Sequence, residues 1–295
     1  MKKIVSILIL IVISSNLVGQ HSTLTSNYLL NIFSINPAYA GQRRAADITL
    51  FYRKQWLGAT GAPQTISLMG SMEIKPKNFS IGMQLDNDNI GLTTTTRFKI
   101  AFSYRIKIDN HRKIAFGLMP GFRRVFYDYR KIITTTSGDA TFNENIPTIN
   151  TFISSAGIFY YSKKIYIGIS SPELMNLNNA NPSVELNLIA GYIIKLNKEV
   201  VLKPSLLFRQ IKNSPNQIDL NLMAYFNEDF GVGVAYRNKD AVVAYFDWVI
   251  EKKFKVGYAY DYSIGAIKNY NGGTHEIMLN YFFGKLSHAP TPRFF

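Results

Sequence analysis

The chain lacks cysteine, has few charged residues and contains no long apolar run beyond its first twenty residues. With no cysteine among its 295 residues, an exported form cannot be held together by disulfide bonds. No later window offers the roughly 18 uncharged apolar residues of a membrane helix. Charged residues make up 18% of the chain, and helical spacing of apolar residues is nearly absent. These absences leave strands as the main structural element.

The N-terminus has the pattern of a secretory signal peptide. Lys2 and Lys3 precede an apolar run from Ile4 to Ile13, and small or polar residues follow. A run of about ten residues is too short to span a bilayer as a helix. The pattern therefore predicts a signal peptide over 1–19, with Gln20 as the first mature residue. An uncleaved anchor and a buried strand are the alternatives.

The net charge of +14 does not indicate a nucleic-acid-binding protein. The lysines and arginines are spread through strand-like segments and form no basic arm or helix. The predicted export of the protein also argues against nucleic-acid binding.

Apolar and polar residues alternate with a period of two along most of the chain. In RFKIAFSYRIKI, Phe98 to Ile108 alternate with Arg97 to Lys107, as in strands with two unlike faces. Segments of about ten residues are long enough for a tilted strand to cross a hydrocarbon layer. The predicted strands are 47–57, 64–74, 79–86, 95–108, 112–125, 149–162, 164–171, 184–196, 199–211, 217–227, 229–237, 241–250, 252–263 and 274–286.

Short and long connections alternate between these strands. Tight polar turns such as KPKN (75–78) alternate with longer segments at 86–95, 127–148, 172–183, 212–217 and 263–273. Outer-membrane barrels combine short periplasmic turns with longer extracellular loops. The segments 58–63 and 237–240 are short members of the outer set.

Together these features predict an all-β fold, a transmembrane antiparallel up-and-down β-barrel of about 14 strands over residues 47–286. In lipid, an open sheet edge would leave backbone groups without hydrogen-bond partners, so the strands must close on themselves. A soluble β-sandwich or propeller is the alternative, but it needs neither long strands nor asymmetric connections.

The polar face of the strands carries charges of both signs. Buried charges are tolerated when they are paired, so we expect a salt-bridge network across the lumen. A positively lined, anion-selective pore is the alternative. The predicted lumen residues are Arg97, Lys99, Arg105, Lys107, Lys203, Arg209, Glu185, Asp219, Asp261 and Glu276.

The sequence gives little indication of catalysis. Its four histidines are scattered, and no metal-ligand spacing, glycine-rich phosphate loop or nucleophile motif occurs. We therefore predict neither an enzyme nor a cofactor or metal site. A lipid-modifying enzyme using His275 is the alternative to test.

The first mature segment carries a set of motifs, NPAYAG followed by RKQWLG and GAPQT. In this combination the chain resembles the PorP/SprF family of Bacteroidetes outer-membrane proteins, which belong to the type IX secretion and gliding machinery. The resemblance is strongest over these motifs and weaker in the later strands. The motif residues are Asn36, Pro37, Ala38, Tyr39, Ala40, Gly41, Arg53, Gln55, Trp56, Gly58, Gly61 and Pro63.

The resemblance implies a barrel that binds and anchors, or helps to export, a secreted protein or adhesin through its C-terminal domain. It also implies contacts with other secretion components and outer-membrane lipid. We expect 20–46 to form a periplasmic segment and 287–295 a C-terminal tail. A pore or small-solute transporter is the alternative function. The residues predicted to meet the partner are Tyr127, Tyr129, Arg130, Phe142, Leu174, Met175 and Tyr270.

Overall fold

The computed structural model describes most of the mature chain. The described residues are 26–43, 45–74, 78–128, 148–176, 184–212, 214–227 and 229–283. The predicted signal peptide and tail, together with Tyr129, Arg130 and Phe142, lie outside them.

Fifteen strands form one antiparallel sheet. They are β1 (Ala46–Lys54), β2 (Gln64–Ile74), β3 (Phe79–Ile90), β4 (Thr93–Lys107), β5 (Lys113–Tyr127), β6 (Thr148–Tyr161), β7 (Ile165–Asn176), β8 (Glu185–Tyr192), β9 (Ile194–Lys195), β10 (Val200–Ile211), β11 (Gln217–Phe226), β12 (Phe230–Arg237), β13 (Ala241–Ile250), β14 (Phe254–Ser263) and β15 (Thr274–Phe283).

The sheet closes into a barrel of fourteen crossings. Except for β8 and β9, strands that are neighbours in the chain pair with each other. Strand β1 also pairs with β15, and β10 pairs with both β8 and β11. Strands β8 and β9 are two parts of one crossing, interrupted at Ile193, because both pair with β10. The predicted strand number and topology are confirmed.

One predicted outer loop is a turn instead. The segment 86–95 was expected to be a long connector, but β3 continues to Ile90 and β4 begins at Thr93. Gly91, with a φ of +56°, allows the sharp reversal between them. The polar run of Asp, Asn and Thr residues thus extends two paired strands.

The two faces of the sheet follow the alternation in the sequence. On β4, Phe98, Ile100 and Phe102 are exposed at 41–44%, whereas Ala101 and Ser103 are buried at 0–2%. Exposed apolar side chains thus form the outer surface and polar ones the interior, as a barrel in lipid requires. Within the part of the chain that the structure describes, no helix is long and apolar enough to cross a membrane.

The connections differ between the two ends of the barrel. One end carries turns of three to five residues, for example 162–164 and 108–112; we call it the short-turn end. In the second of these turns, the Asp109 carboxylate accepts hydrogen bonds from the backbone N–H groups of His111 and Arg112 and from the Arg112 guanidinium. These hydrogen bonds lower the pKa of Asp109 to about 2. The opposite end carries the longer connections and is called the long-loop end.

Candidate functional site: a plugged lumen and its outer rim

Residues Ser26–Arg43 run inside the barrel and form what we call the plug. Three short 3-10 turns, Ser26–Leu29, Ile32–Ser34 and Pro37–Tyr39, carry the chain through the lumen. Their apolar side chains are buried, with at most 3% exposure for Tyr28, Leu29, Leu30, Ile32, Phe33, Ala38, Tyr39 and Ala40. This corrects the expectation of a separate periplasmic segment, because these uncharged, apolar side chains are buried against the wall.

The NPAYAG motif fits against a patch of wall without side chains. A Cβ atom on Gly117 of β5 would collide with the backbone of Pro37 and Ala38, and one on Gly157 of β6 would collide with the Asn36 side chain. Gly168 on β7 also leaves room for Asn36. Three neighbouring strands therefore lack side chains where the motif lies, which lets the two backbones approach closely.

Polar contacts fix the motif in this position. The Asn36 side chain accepts a hydrogen bond from the Ala38 N–H at 2.9 Å and donates to the Ile158 carbonyl at 3.1 Å. From the wall, Ser103 donates to the Ala38 carbonyl at 3.1 Å and Arg105 donates to the Gly41 carbonyl at 3.1 Å. The first half of the family motif thus attaches the plug to the barrel.

A second attachment holds the other end of the plug. The Ser26 N–H donates to Glu276 at 2.9 Å, and its hydroxyl donates to Asp261 at 2.9 Å. Arg237 donates to the Ser26 oxygen at 2.9 Å and forms an ion pair with Asp261 at 3.1 Å. We call this buried group, with Arg53 and Asp219, the latch.

The remaining latch contacts neutralise the carboxylates. Arg53 lies 3.1 Å from Glu276, and Arg237 lies 3.2 Å from Asp219. The Tyr28 hydroxyl donates to Asp219 at 3.1 Å. Charges this deeply buried are stable only when paired and hydrogen-bonded, and here the pairing includes plug atoms.

The plug therefore has a direction through the lumen. Asp261 lies two residues before the end of β14 and Glu276 two residues after the start of β15, at the long-loop end. At the other extremity, Arg43 lies 3.5 Å from Asp47 at the start of β1. The chain thus descends from the long-loop end to the short-turn end before β1 begins.

Most of the predicted lumen charges lie inside the barrel. Arg209 makes two bonds to Glu185, at 2.8 and 3.1 Å, and Arg105 pairs with Glu73 at 2.9 Å. Lys203 is 1% exposed and lies over the Tyr166 ring at 5.4 Å. Lys99 is also buried.

Two predicted members behave differently. Arg97 is half-buried, and Lys107 is exposed at the last residue of β4. The placement of Lys107 in the lumen network is therefore wrong, because the strand ends there and its side chain reaches solvent at the short-turn end.

Arg237, which bonds Ser26, Asp219 and Asp261 in the latch, was not among the predicted lumen residues. It was placed in an outer turn, RNKD, whereas it is the last residue of β12 and 2% exposed. Arg237 follows the buried Ala235 by two residues, so the alternation along β12 indicates that its side chain faces the lumen. The contacts of Ser26 and Tyr28 with the barrel wall were not predicted, because the segment before β1 was expected to lie in the periplasm.

The second half of the family motif builds part of the outer rim. Leu57 exchanges two backbone hydrogen bonds of 2.8 Å with Gly272 and Gly273, and Gly91 donates to the Gly61 carbonyl at 2.9 Å. Gln55 donates to the Pro63 carbonyl at 2.9 Å, closing its own loop. These bonds join residues 55–63, 90–92 and 264–273 into one unit, which we call the rim platform.

The described members of the predicted partner-binding set are divided between strands and rim. Tyr127 is the last residue of β5, and Leu174 and Met175 lie in β7 rather than in a loop, exposed at 41% and 48%. Tyr270 is 78% exposed on the rim platform. The set is therefore not one patch within a single loop.

His275, the histidine considered for catalysis, lies among aromatic rings. Its Nδ1 atom is 2.7 Å from the Tyr258 hydroxyl, and the Tyr260 ring centroid is 5.0 Å away. Tyr258 is exposed on the outer face of β14. Such an aromatic group near a strand end is typical of the interfacial girdle of a membrane barrel.

Solved outer-membrane proteins are among the structures similar to this chain. The monoaromatic hydrocarbon channel CymD is similar at a TM-score of 0.52 and 11% identity, covering 92% of this chain and 96% of that one. Omp33 of Acinetobacter baumannii has a TM-score of 0.47 at 9% identity, covering 81% and 98%. The KdgM porin has a TM-score of 0.41 at 10% identity, covering 81% and 99%. No curated protein matches the sequence.

The fold and the filled lumen define an outer-membrane β-barrel with an internal plug. A family model described as "Type IX secretion system membrane protein PorP/SprF" matches residues 17–281. The chain belongs to this family, which confirms the resemblance carried by the N-terminal motifs. The family and fold are those of a membrane protein of secretion.

Proposed function

We propose that this barrel anchors a secreted surface protein at the outer face of the membrane, by binding that protein's C-terminal domain. The long-loop end is then extracellular, and the signal peptide over 1–19 is removed during export. The plug carries this proposal, since a barrel filled along its height is suited to holding a partner rather than passing solutes.

The plug also bears on the alternative of a pore. Channels need a continuous water-filled passage, whereas here Tyr28, Ile32 and Tyr39 of the plug are buried in the lumen at 0–2% exposure. Solute transport would require the plug to leave. Two separate attachments, the motif and the latch, oppose that movement.

The connection between β5 and β6 is the place to test anchoring. Phe126 and Thr148 are paired neighbours in the sheet, so residues 128–147 can be replaced by Asn-Gly, which together with Tyr127 forms a three-residue hairpin loop. We expect the shortened protein to assemble and to release the surface protein into the medium. The matched control replaces the connection 212–216 between β10 and β11 in the same way.

Retention of the surface protein by the shortened barrel would remove 128–147 from the binding site. If no secreted protein co-purifies with the intact barrel in mild detergent, the proposed anchoring function is wrong. Folding of each variant is checked by the change in gel mobility on heating, which barrels show when they unfold.

A further inference from the structure

We infer that the rim platform is a docking surface for an uncharged face of the secreted protein. This inference rests on the proposed function and names a second contact region, separate from residues 128–147. The surface is formed by residues 55–63, 90–92 and 264–273.

The platform is held in one shape before any partner arrives. Backbone hydrogen bonds of 2.8–2.9 Å join its three connections at Leu57, Gly61 and Gly91. The Trp56 N–H also reaches the Thr274 hydroxyl at 3.3 Å. Loops that are ordered in advance lose less conformational entropy on binding, so pre-organisation favours affinity.

Several residues of the platform adopt left-handed backbone conformations. Trp56 has a φ of 48°, and Gly58, Gly61, Gly91 and Gly273 have φ values from 56° to 89°. A bulky residue such as Trp56 persists at positive φ only where its surroundings enforce it.

Glycines leave open space at the surface. A Cβ atom on Gly58 or Gly91 would meet no other atom within 4 Å. Their positive φ values rather than packing explain these glycines within the chain, and both expose backbone that a partner's main chain can approach closely. Leu57, at 46% exposure, and Tyr270, at 78%, supply apolar and aromatic contacts beside them.

The charge of the platform identifies the kind of partner. Lys268 is its one charged residue, and the adjoining Lys239 and Asp240, which lie beside Gly265, carry opposite charges. The surface therefore has neither a basic cluster for lipid phosphates nor an acidic one for cations. Exposed aromatic and apolar side chains with few charges are characteristic of protein interfaces. The partner is therefore a neutral protein face, and its binding should depend little on salt.

Site-specific crosslinking in intact cells tests the inference. A benzophenone amino acid replaces Leu57 or Tyr270 in the full chain, and the same amino acid at Asn216 of the β10–β11 connection, also exposed, is the matched control. After irradiation we expect an adduct with the C-terminal domain of one secreted protein, at least about fivefold stronger at the two platform positions.

Other adducts overturn the inference in different ways. Adducts to lipopolysaccharide, to a second copy of this chain, or of equal strength at Asn216 mean that the platform does not dock the secreted protein. If Tyr127 or Leu174 crosslinks to that protein while Leu57 and Tyr270 do not, anchoring stands and the platform assignment fails. If none of these positions crosslinks to a secreted protein, both proposals fail.

A charge-insertion pair gives an independent readout. Leu57→Asp with Tyr270→Asp should reduce retention of the surface protein severalfold, because carboxylates would be desolvated against a neutral face. Lys212→Asp with Asn216→Asp places two acidic residues on the β10–β11 connection, outside the platform, and should leave retention of the surface protein unchanged. Equal retention by both pairs overturns the platform assignment.

Discussion

Asn36 of the plug occupies the space that a Cβ atom on Gly157 of β6 would need. The plug and the wall are thus complementary in shape. The NPAYAG motif needs the glycines of the wall, and those glycines are explained by the motif. Glycine in a strand interior is unfavourable by itself. Its occurrence at 117, 157 and 168 is explained by the NPAYAG motif lying against all three.

Gly157→Ala should weaken the attachment of the plug. The added methyl group forces Asn36 or the strand to move, and such overpacking costs about 1–3 kcal/mol. Thermal unfolding of the purified barrel in detergent, followed by gel mobility, measures the loss. Gly272→Ala is the control, because a Cβ there would meet its nearest atom at an ordinary distance of 3.4 Å; equal losses from both would contradict the proposed fit.

Asn36→Asp should be more damaging than Asn36→Ala. The aspartate keeps the acceptor for the Ala38 N–H but presents a second oxygen to the carbonyls of Ile158 and Ile169, to which Asn36 now donates. An unpaired buried polar group costs about 1–3 kcal/mol, and a charged one more.

Trypsin provides the measurement for this pair of variants. Residues 26–42 contain no lysine or arginine, whereas Arg43 ends the plug with a buried side chain. Cleavage after Arg43 therefore reports release of the plug, and it should be fastest in Asn36→Asp and slowest in the unaltered protein. The reverse order of the two variants would exclude the hydrogen-bonding role of the amide.

The barrel itself could be predicted from the sequence because a single physical rule governs it. Side chains on a strand alternate between lipid and lumen, so Ile48, Leu50 and Tyr52 face outward while Thr49 and Arg53 face inward, as expected. The long connector predicted at 86–95 was wrong because residue preferences there point to a loop. Asp and Asn usually favour turns, but here they continue β3 beyond the apolar band.

The plug could not be recognised from alternation, since it has none. One signal was present: residues 26–42 are uncharged and include Leu29, Leu30, Ile32 and Phe33, a composition that is unfavourable in an aqueous compartment. Which wall it packs against depends on contacts between residues more than 100 positions apart, such as Asn36 with Ile158. Such contacts leave no local pattern.

Ser26→Ala and Arg237→Ala should be strongly coupled. Loss of the serine hydroxyl removes bonds to Asp261 and Arg237, at about 1 kcal/mol for each hydrogen bond. Loss of the guanidinium removes the ion pair of the buried Asp219 and leaves Asp261 with Arg53 at 3.9 Å, and breaking a buried pair costs about 3–5 kcal/mol. Because the residues touch, the double variant should lose less than the sum.

Unfolding of the two single variants and the double variant gives the coupling energy. Asn238→Ala is the control, since this neighbour of Arg237 lies in the turn between β12 and β13 and belongs to neither attachment. Strict additivity would show that Ser26 and Arg237 act independently, and the latch would then not hold the plug.

Removal of the plug should convert the barrel into a channel. A variant without residues 26–43 loses Tyr28, Phe33 and Tyr39 from the lumen, and a fourteen-stranded wall then encloses a passage lined by charged strands. We expect a conductance in planar bilayers at least about tenfold above that of the full chain. Arg237→Ala should give intermittent openings, because it weakens one attachment and leaves the other. A full-length chain that conducts as well as the deletion variant would show that ions pass beside the plug, and the pore function would then be favoured over anchoring.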